Sequence, residues 1–208
     1  MPASLSPASY TVEIAGEPTE LPLVPINETL GISLLMVIDM GVGFGERTGK
    51  ALAERLAPAK PEIVVGTATL GIPVAIETSR ALGLDQYVIL QKSPKIHLGD
   101  ALVETVQSVT SSQPQRLLLD RRAVPLLAGK RVAVVDDVVC TGSSLAATLR
   151  LVRQAGGTVA GIGVILTEGH DWRPVLGADA EKLAALGHIP QFRLDGRNAT
   201  PIPETMAR

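Results

Sequence analysis

Short apolar runs and amphipathic stretches alternate along most of this chain, and their spacing predicts its elements. Over residues 46–57, Ala51, Leu52 and Leu56 recur at helical spacing beside Glu54 and Arg55, and Pro58 and Pro61 stop the pattern, which predicts a helix. Residues 63–65 predict a short buried strand, 72–82 a helix closed by Gly83, and 87–90 a second strand. The clearest strand is 131–135, followed by a helix over 143–154 that Gly156 and Gly157 end. A strand over 158–166, a short helix over 179–186 and a last strand over 189–194 complete the series. Such alternation predicts an α/β fold, a parallel twisted sheet flanked by helices, with ligands beyond the carboxyl ends of its strands.

Two regions break the rhythm. The β-rich runs 10–14 and 34–38 flank Pro18, Pro22 and Pro25, which argue against a continuous helix or central strand, so an irregular or hairpin-like N-terminal extension is expected over 1–45. Residues 93–129 combine Lys95, His97, a polar patch at 108–115 and the arginines Arg116, Arg121 and Arg122 among leucines, which predicts a hairpin or a flexible lid. With no repeat and no low-complexity linker, a single domain over 1–208 is expected.

Composition narrows the function. The 46% hydrophobic content is enough for a sizeable core, and the longest uncharged stretches (63–76 and 154–167) have 14 residues, short of the roughly 18 a membrane-spanning helix needs. The single cysteine, Cys140, rules out an internal disulfide and fits a reducing compartment, so a cytoplasmic protein is expected. Residues 1–46 carry six acids and no Lys, Arg or His, whereas residues 47–208 carry 19 basic against 15 acidic residues, a balance that suits an anionic small molecule. Five aromatic residues are too few for a basic face interleaved with stacking rings, so no nucleic-acid partner is expected.

The chemistry concentrates in residues 131–144, RVAVVDDVVCTGSS. A buried strand delivers Asp136 and Asp137, and a turn of Thr141, Gly142, Ser143 and Ser144 opens a helix. Gly142 lets the backbone approach an anion, while hydroxyls, successive N–H groups and the helix N-terminus supply donors for a phosphate. No GKS or GKT follows a glycine turn, which argues against nucleoside triphosphate hydrolysis. Acids beside a phosphate turn suit a ligand that also presents hydroxyls, because carboxylates accept hydrogen bonds from a diol. Ribose 5-phosphate is such a ligand.

VAVVDDVVCTGSS resembles the 5-phosphoribosyl-1-pyrophosphate (PRPP) signature of type I phosphoribosyltransferases, over roughly residues 30–195 and most like the xanthine and adenine enzymes of the purine branch. The resemblance implies that fold, with a small hood formed by the N- and C-terminal segments. It also implies transfer of the phosphoribosyl group from PRPP to a purine base, with Mg²⁺, in a homodimer. It places Asp136 and Asp137 on the ribose hydroxyls, Thr141, Gly142, Ser143 and Ser144 on the 5′-phosphate, and Ala68, Thr69, Leu70 and Gly71 on pyrophosphate together with Lys92. Trp172 falls where the hood often supplies an aromatic that stacks on the base, with Phe192 as a second choice. Asp136, Asp137 and Lys92 are the expected catalytic residues.

The chain also departs from the pattern. Cys140 stands where some purine enzymes carry a general-base acid, the loop 68–71 has neither acid nor base, and 34–39 lacks the Asn expected of a xanthine enzyme. Cys140 reads as a small buried filler and His97 and His170 as lone surface histidines. Two alternatives stay open: a PRPP-binding regulator on the same fold without transferase activity, and a transferase for a pyrimidine or other acceptor.

Overall fold

The computed structural model describes residues 5–94, 100–106 and 115–207. The chain opens with β1 (Ser9–Ile14), β2 (Glu17–Pro25) and β3 (Leu30–Ser33), then α1 (Val42–Leu56), β4 (Ile63–Thr67), α2 (Gly71–Ala81) and β5 (Tyr87–Leu90). It continues through β6 (Ala101–Val106), β7 (Gln115–Asp120), α3 (Val124–Leu127), β8 (Arg131–Val139), α4 (Ser143–Gln154) and β9 (Thr158–Glu168). The last elements are α5 (Trp172–Leu176), β10 (Leu183–Ile189), β11 (Gln191–Asp195) and β12 (Asn198–Pro201).

Five strands form a wholly parallel sheet in the order β10-β9-β8-β4-β5. All five residues of β4 are buried, as a β-branched run covered on both faces should be. Alternate residues supply two cores. Ile63, Val65, Val132, Val134 and Ile162 pack with Leu145, Leu149 and Val152 of α4, while Val64, Ala133, Val135 and Ile165 pack with Phe44, Leu52 and Leu56 of α1 and Val74 of α2. No helix among the described residues is long and apolar enough to cross a membrane.

The terminal segments join in a second, antiparallel sheet, β1-β2-β3-β11-β12, the hood. Pro18, Pro22 and Pro25 all lie inside β2, where a continuous central strand was not expected. The reason is a change of partner: residues 17–22 pair with β1 and 23–25 with β3, so each half is an edge that tolerates a missing N–H. The run 34–38 is not a strand; Leu35 and Val37 are buried in the core beneath α1 and α2, with a 3₁₀ turn at Val37–Asp39.

Three further expectations shift. Helix α1 begins at Val42 rather than 46, because Phe44, between two glycines, extends the stripe of Thr48 and Leu52. The helix expected over 179–186 is a 3₁₀ segment (Gly177–Lys182) followed by β10, whose residues pair with the open edge of β9 and so override the helical propensity of Leu-Ala-Ala-Leu. The strand expected over 189–194 divides at Pro190, where the chain leaves the parallel sheet and enters the hood. Within 93–129, β6 and β7 form an antiparallel hairpin that covers the α4 face and bonds through Leu118 to Gln91. The tip expected to act as a lid, including the polar patch, falls mainly outside the described residues, as do Lys95 and His97.

Candidate active site

The last rung between β4 and β8 pairs Gly66 with Val135, so Asp136 lies one residue beyond the point where β4 turns away. Pairing with β9 continues to Val139, which makes β8 four residues longer than the apolar pattern suggests and leaves the acids inside the strand. The loop leaving β4 closes over the gap. Its Gly71 comes so near Asp136 that a Cβ there would lie 2.8 Å from Oδ1. The N–H of Asp137 donates to that same oxygen at 3.1 Å. Burial and the adjacent Asp137 push the Asp136 carboxyl well above the usual carboxylate range, while the Lys92 ammonium pulls the other way.

Beyond β8 the chain turns through Thr141 and Gly142 into the 12-residue α4. Gly142 has φ +79°, and a Cβ on it would meet the Trp172 backbone and Cβ at 3.0–3.2 Å, so both conformation and space demand glycine. Thr141 Oγ1 lies 3.3 Å from Ser143 Oγ, and the first turn of α4 offers N–H groups with no partner within the helix. A cavity of roughly 160 Å³ is bounded by Asp136, Cys140, Thr141, Gly142 and Ser144, among others.

The loop of Ala68, Thr69, Leu70 and Gly71 is anchored by a hydrogen bond from Ala68 N–H to the Leu90 carbonyl (2.9 Å), and its Ala68–Thr69 peptide is cis. Thr69 is exposed, and Lys92, just past β5, is exposed beside it in the sheet order. Thus the carboxyl ends of β8, β4 and β5 assemble the acid pair, the hydroxyl turn, the small-residue loop and the lysine. Among the loop arginines, Arg121 forms an ion pair with Asp100 (2.7 Å) at the base of the hairpin.

The aromatic residues are placed otherwise than expected. Trp172 is 3% exposed, packs in the α4-side core, and donates its indole N–H to the Gly169 carbonyl at 3.1 Å. Its backbone and Cβ form the back wall of the Gly142 turn. Phe192 is likewise buried, edge-on to Tyr10 in the hood at a centroid separation of 5.4 Å. His170 is not alone: its ring stacks on His188 at 5.1 Å, and their Nε2 atoms lie 3.0 and 2.7 Å from the Met206 and Thr205 carbonyls.

Sequence reading missed Glu168 and Gln191. Glu168, the last residue of β9, is buried, and its Oε1 accepts from Cys140 Sγ at 3.3 Å and from Gln191 Nε2 at 3.2 Å. Burial and this carboxyl raise the Cys140 thiol to about 12, so it is protonated and inert at neutral pH. The available signal was that Glu168 is the charge ending the uncharged stretch 154–167.

A family model, the phosphoribosyl transferase domain, matches residues 46–183. The chain belongs to the phosphoribosyl transferase domain family. The matched span runs from α1 to the start of β10 and includes every residue placed at the sheet end above. Among its relatives, a xanthine phosphoribosyltransferase from an Exiguobacterium species is 34% identical over 119 residues, covering 57% of this chain and 60% of that protein. An orotate phosphoribosyltransferase from Pelotomaculum thermopropionicum is 32% identical over 123 residues, covering 59% of this chain and 53% of that protein. The matches thus span little more than half the length of either relative. In structure, the chain resembles adenine phosphoribosyltransferase from Rhodothermus marinus, with a TM-score of 0.64 at 23% identity over 88% of this chain and 94% of that one. That likeness places the phosphoribosyltransferase fold, hood included, on this chain.

Proposed function

We propose that this protein transfers the 5-phosphoribosyl group of PRPP to a purine base, releasing pyrophosphate. The observation that carries the reading is the contact between Gly71 and Asp136, which sets a loop of small residues against the acid pair at the end of one parallel sheet. In this reading the turn of Thr141, Gly142, Ser143 and Ser144 holds the 5′-phosphate, and Asp136 and Asp137 accept from the ribose diol. Ala68, Thr69, Leu70 and Gly71 bind pyrophosphate mostly through backbone groups, with Lys92 as the electrostatic partner.

The acid pair also fits a divalent cation. Two adjacent carboxylates, with no group of three or more His, Cys, Asp or Glu side chains among the described residues to close a cage, leave positions for substrate oxygens, as Mg²⁺ requires. Bound with PRPP, Mg²⁺ would neutralise charge on the leaving pyrophosphate. The protein's own work is orientation: phosphate, diol and pyrophosphate are each fixed, so the anomeric carbon is presented to the base in one geometry.

A purine acceptor is supported by the xanthine relative and by the adenine enzyme that shares the fold. Homodimer formation is proposed with it, the exposed Ile38 and Val42 offering apolar surface for a second copy. Incubation with PRPP and Mg²⁺ against adenine, guanine, hypoxanthine, xanthine, uracil and orotate, read by chromatography, tests the reading. A purine nucleoside monophosphate is the expected product. Orotidine or uridine monophosphate would replace the purine assignment with a pyrimidine one, and no nucleotide from any base would overturn the transfer itself.

A further inference from the structure

We propose that Glu168 accepts the proton released by the attacking ring nitrogen of the acceptor base. The inference rests on the transfer reading above and supplies a step which that reading leaves open. When a neutral N–H heterocycle attacks, the N–C1′ bond forms and the C1′–O bond to pyrophosphate breaks, its electron pair leaving on pyrophosphate oxygen. The ring N–H proton must then pass to a base. Asp136 and Asp137 are occupied by the ribose diol, Lys92 is a cation, and the turn hydroxyls face a phosphate.

Position singles out Glu168. Displacement at the anomeric carbon puts the incoming nitrogen on the side opposite the leaving group. The pyrophosphate elements, β4 and β5, lie on one side of β8, and β9 lies on the other. Glu168 is at the carboxyl end of β9, hydrogen-bonded to Cys140 of the turn that follows β8 and to Gln191, the first residue of the hood strand β11. It therefore stands where the sheet, the turn and the hood converge, opposite the leaving-group loop.

Its surroundings suit the task. At 5% exposure Glu168 has no ion-pair partner among the described residues, and both its donors are neutral and converge on Oε1. A carboxylate offers about four acceptor positions, so two donors leave room for a base N–H. The titratable groups nearby among the described residues are the Cys140 thiol, which stays protonated, and Asp171, which acts on that thiol; from the hood the Gln191 amide donates to it. Burial raises the Glu168 pKa, making it a better proton acceptor than a surface carboxylate.

Glu168→Gln separates this role from a structural one, because the amide carbonyl still accepts from Cys140 and Gln191. With the base that wild-type protein uses, kcat/KM is expected to fall about 10²- to 10⁴-fold, the range for loss of a general base. PRPP affinity by calorimetry and the melting temperature should stay at wild-type values, and the acid limb of the pH–rate profile should disappear, with Glu168→Asp restoring part of both. An active Glu168→Gln enzyme with the wild-type acid limb overturns the proposal, as does a variant whose loss follows weakened PRPP binding or a lowered melting temperature. Wild-type protein that makes no nucleotide overturns the transfer reading itself, a result visible before any variant is made.

Discussion

A methyl group on Gly71 would sit 2.8 Å from Oδ1 of Asp136, closer than carbon and carboxylate oxygen can approach without displacement. The start of α2 and the middle of β8 are thereby locked together at the point where ribose and pyrophosphate would meet. Gly71→Ala must move either the loop or the carboxylate. PRPP affinity is expected to fall about 10- to 100-fold, in line with the cost of an ångström-scale misplacement at a reacting centre. Calorimetric titration with PRPP and Mg²⁺ measures it; unchanged affinity would show that loop and acid do not share a ligand.

Asp136 is held at the expense of stability. Its pKa is raised on folding by burial and by Asp137, so its stabilising contribution exists below the unfolded value near 3.8 and is lost as pH rises through the folded value. At neutral pH Asp136→Asn should therefore melt about 2–4 °C above wild type, the shift expected for about 1 kcal/mol in a chain of this size. Near pH 4 the advantage should vanish. Thermal melts at the two pH values decide the matter, and a variant that melts lower at neutral pH contradicts the account.

Trp172 packs into the α4-side core, with its backbone and Cβ against the Gly142 turn. Trp172→Phe leaves the Gly169 carbonyl without its indole donor, a loss of about 1–3 kcal/mol. The KM for the base should stay within about twofold of wild type, since the ring is buried in the α4-side core. A raised KM with unchanged stability would restore the stacking role that the sequence suggests.

The stacked histidines tie the C-terminal segment to the sheet. His188 has its pKa lowered, mainly by burial, with His170 and Arg173 adding to the effect against the Thr205 carbonyl. A depressed histidine stabilises the fold fully above its unfolded value near 6.5, and this stability is lost as pH falls through the folded value. Denaturant unfolding between pH 5 and 8 should give a shallower acid decline for His188→Gln than for wild type, by less than one proton in slope. An identical or steeper decline would assign the acid sensitivity elsewhere.

The parts of this fold that were legible in sequence are the ones with local causes. The Val-rich strand, Gly142 and the following amphipathic helix signal β8, the turn and α4 within 24 residues, and helix α4 falls where its spacing predicts. Elements decided by distant partners were not legible. β10 is a strand only because β9 has an open edge, and Pro22 survives in β2 only because its two halves have different neighbours. Glu168 shows the same limit at the site: its partners Cys140 and Gln191 lie 28 and 23 residues away, and no periodicity announces such a meeting. For Trp172, sequence gives the position after β9 but not the packing of its ring into the α4-side core.

In the proposed reaction the carboxyl ends of β4, β5 and β8 hold PRPP. Titration of PRPP with Mg²⁺ into wild type and Asp137→Asn, with a melting curve for each, tests it most directly. The account predicts one-to-one binding by wild type, weakened at least tenfold in a variant that melts as wild type does. Absence of binding by folded wild-type protein, or equal affinity in the two, would contradict it.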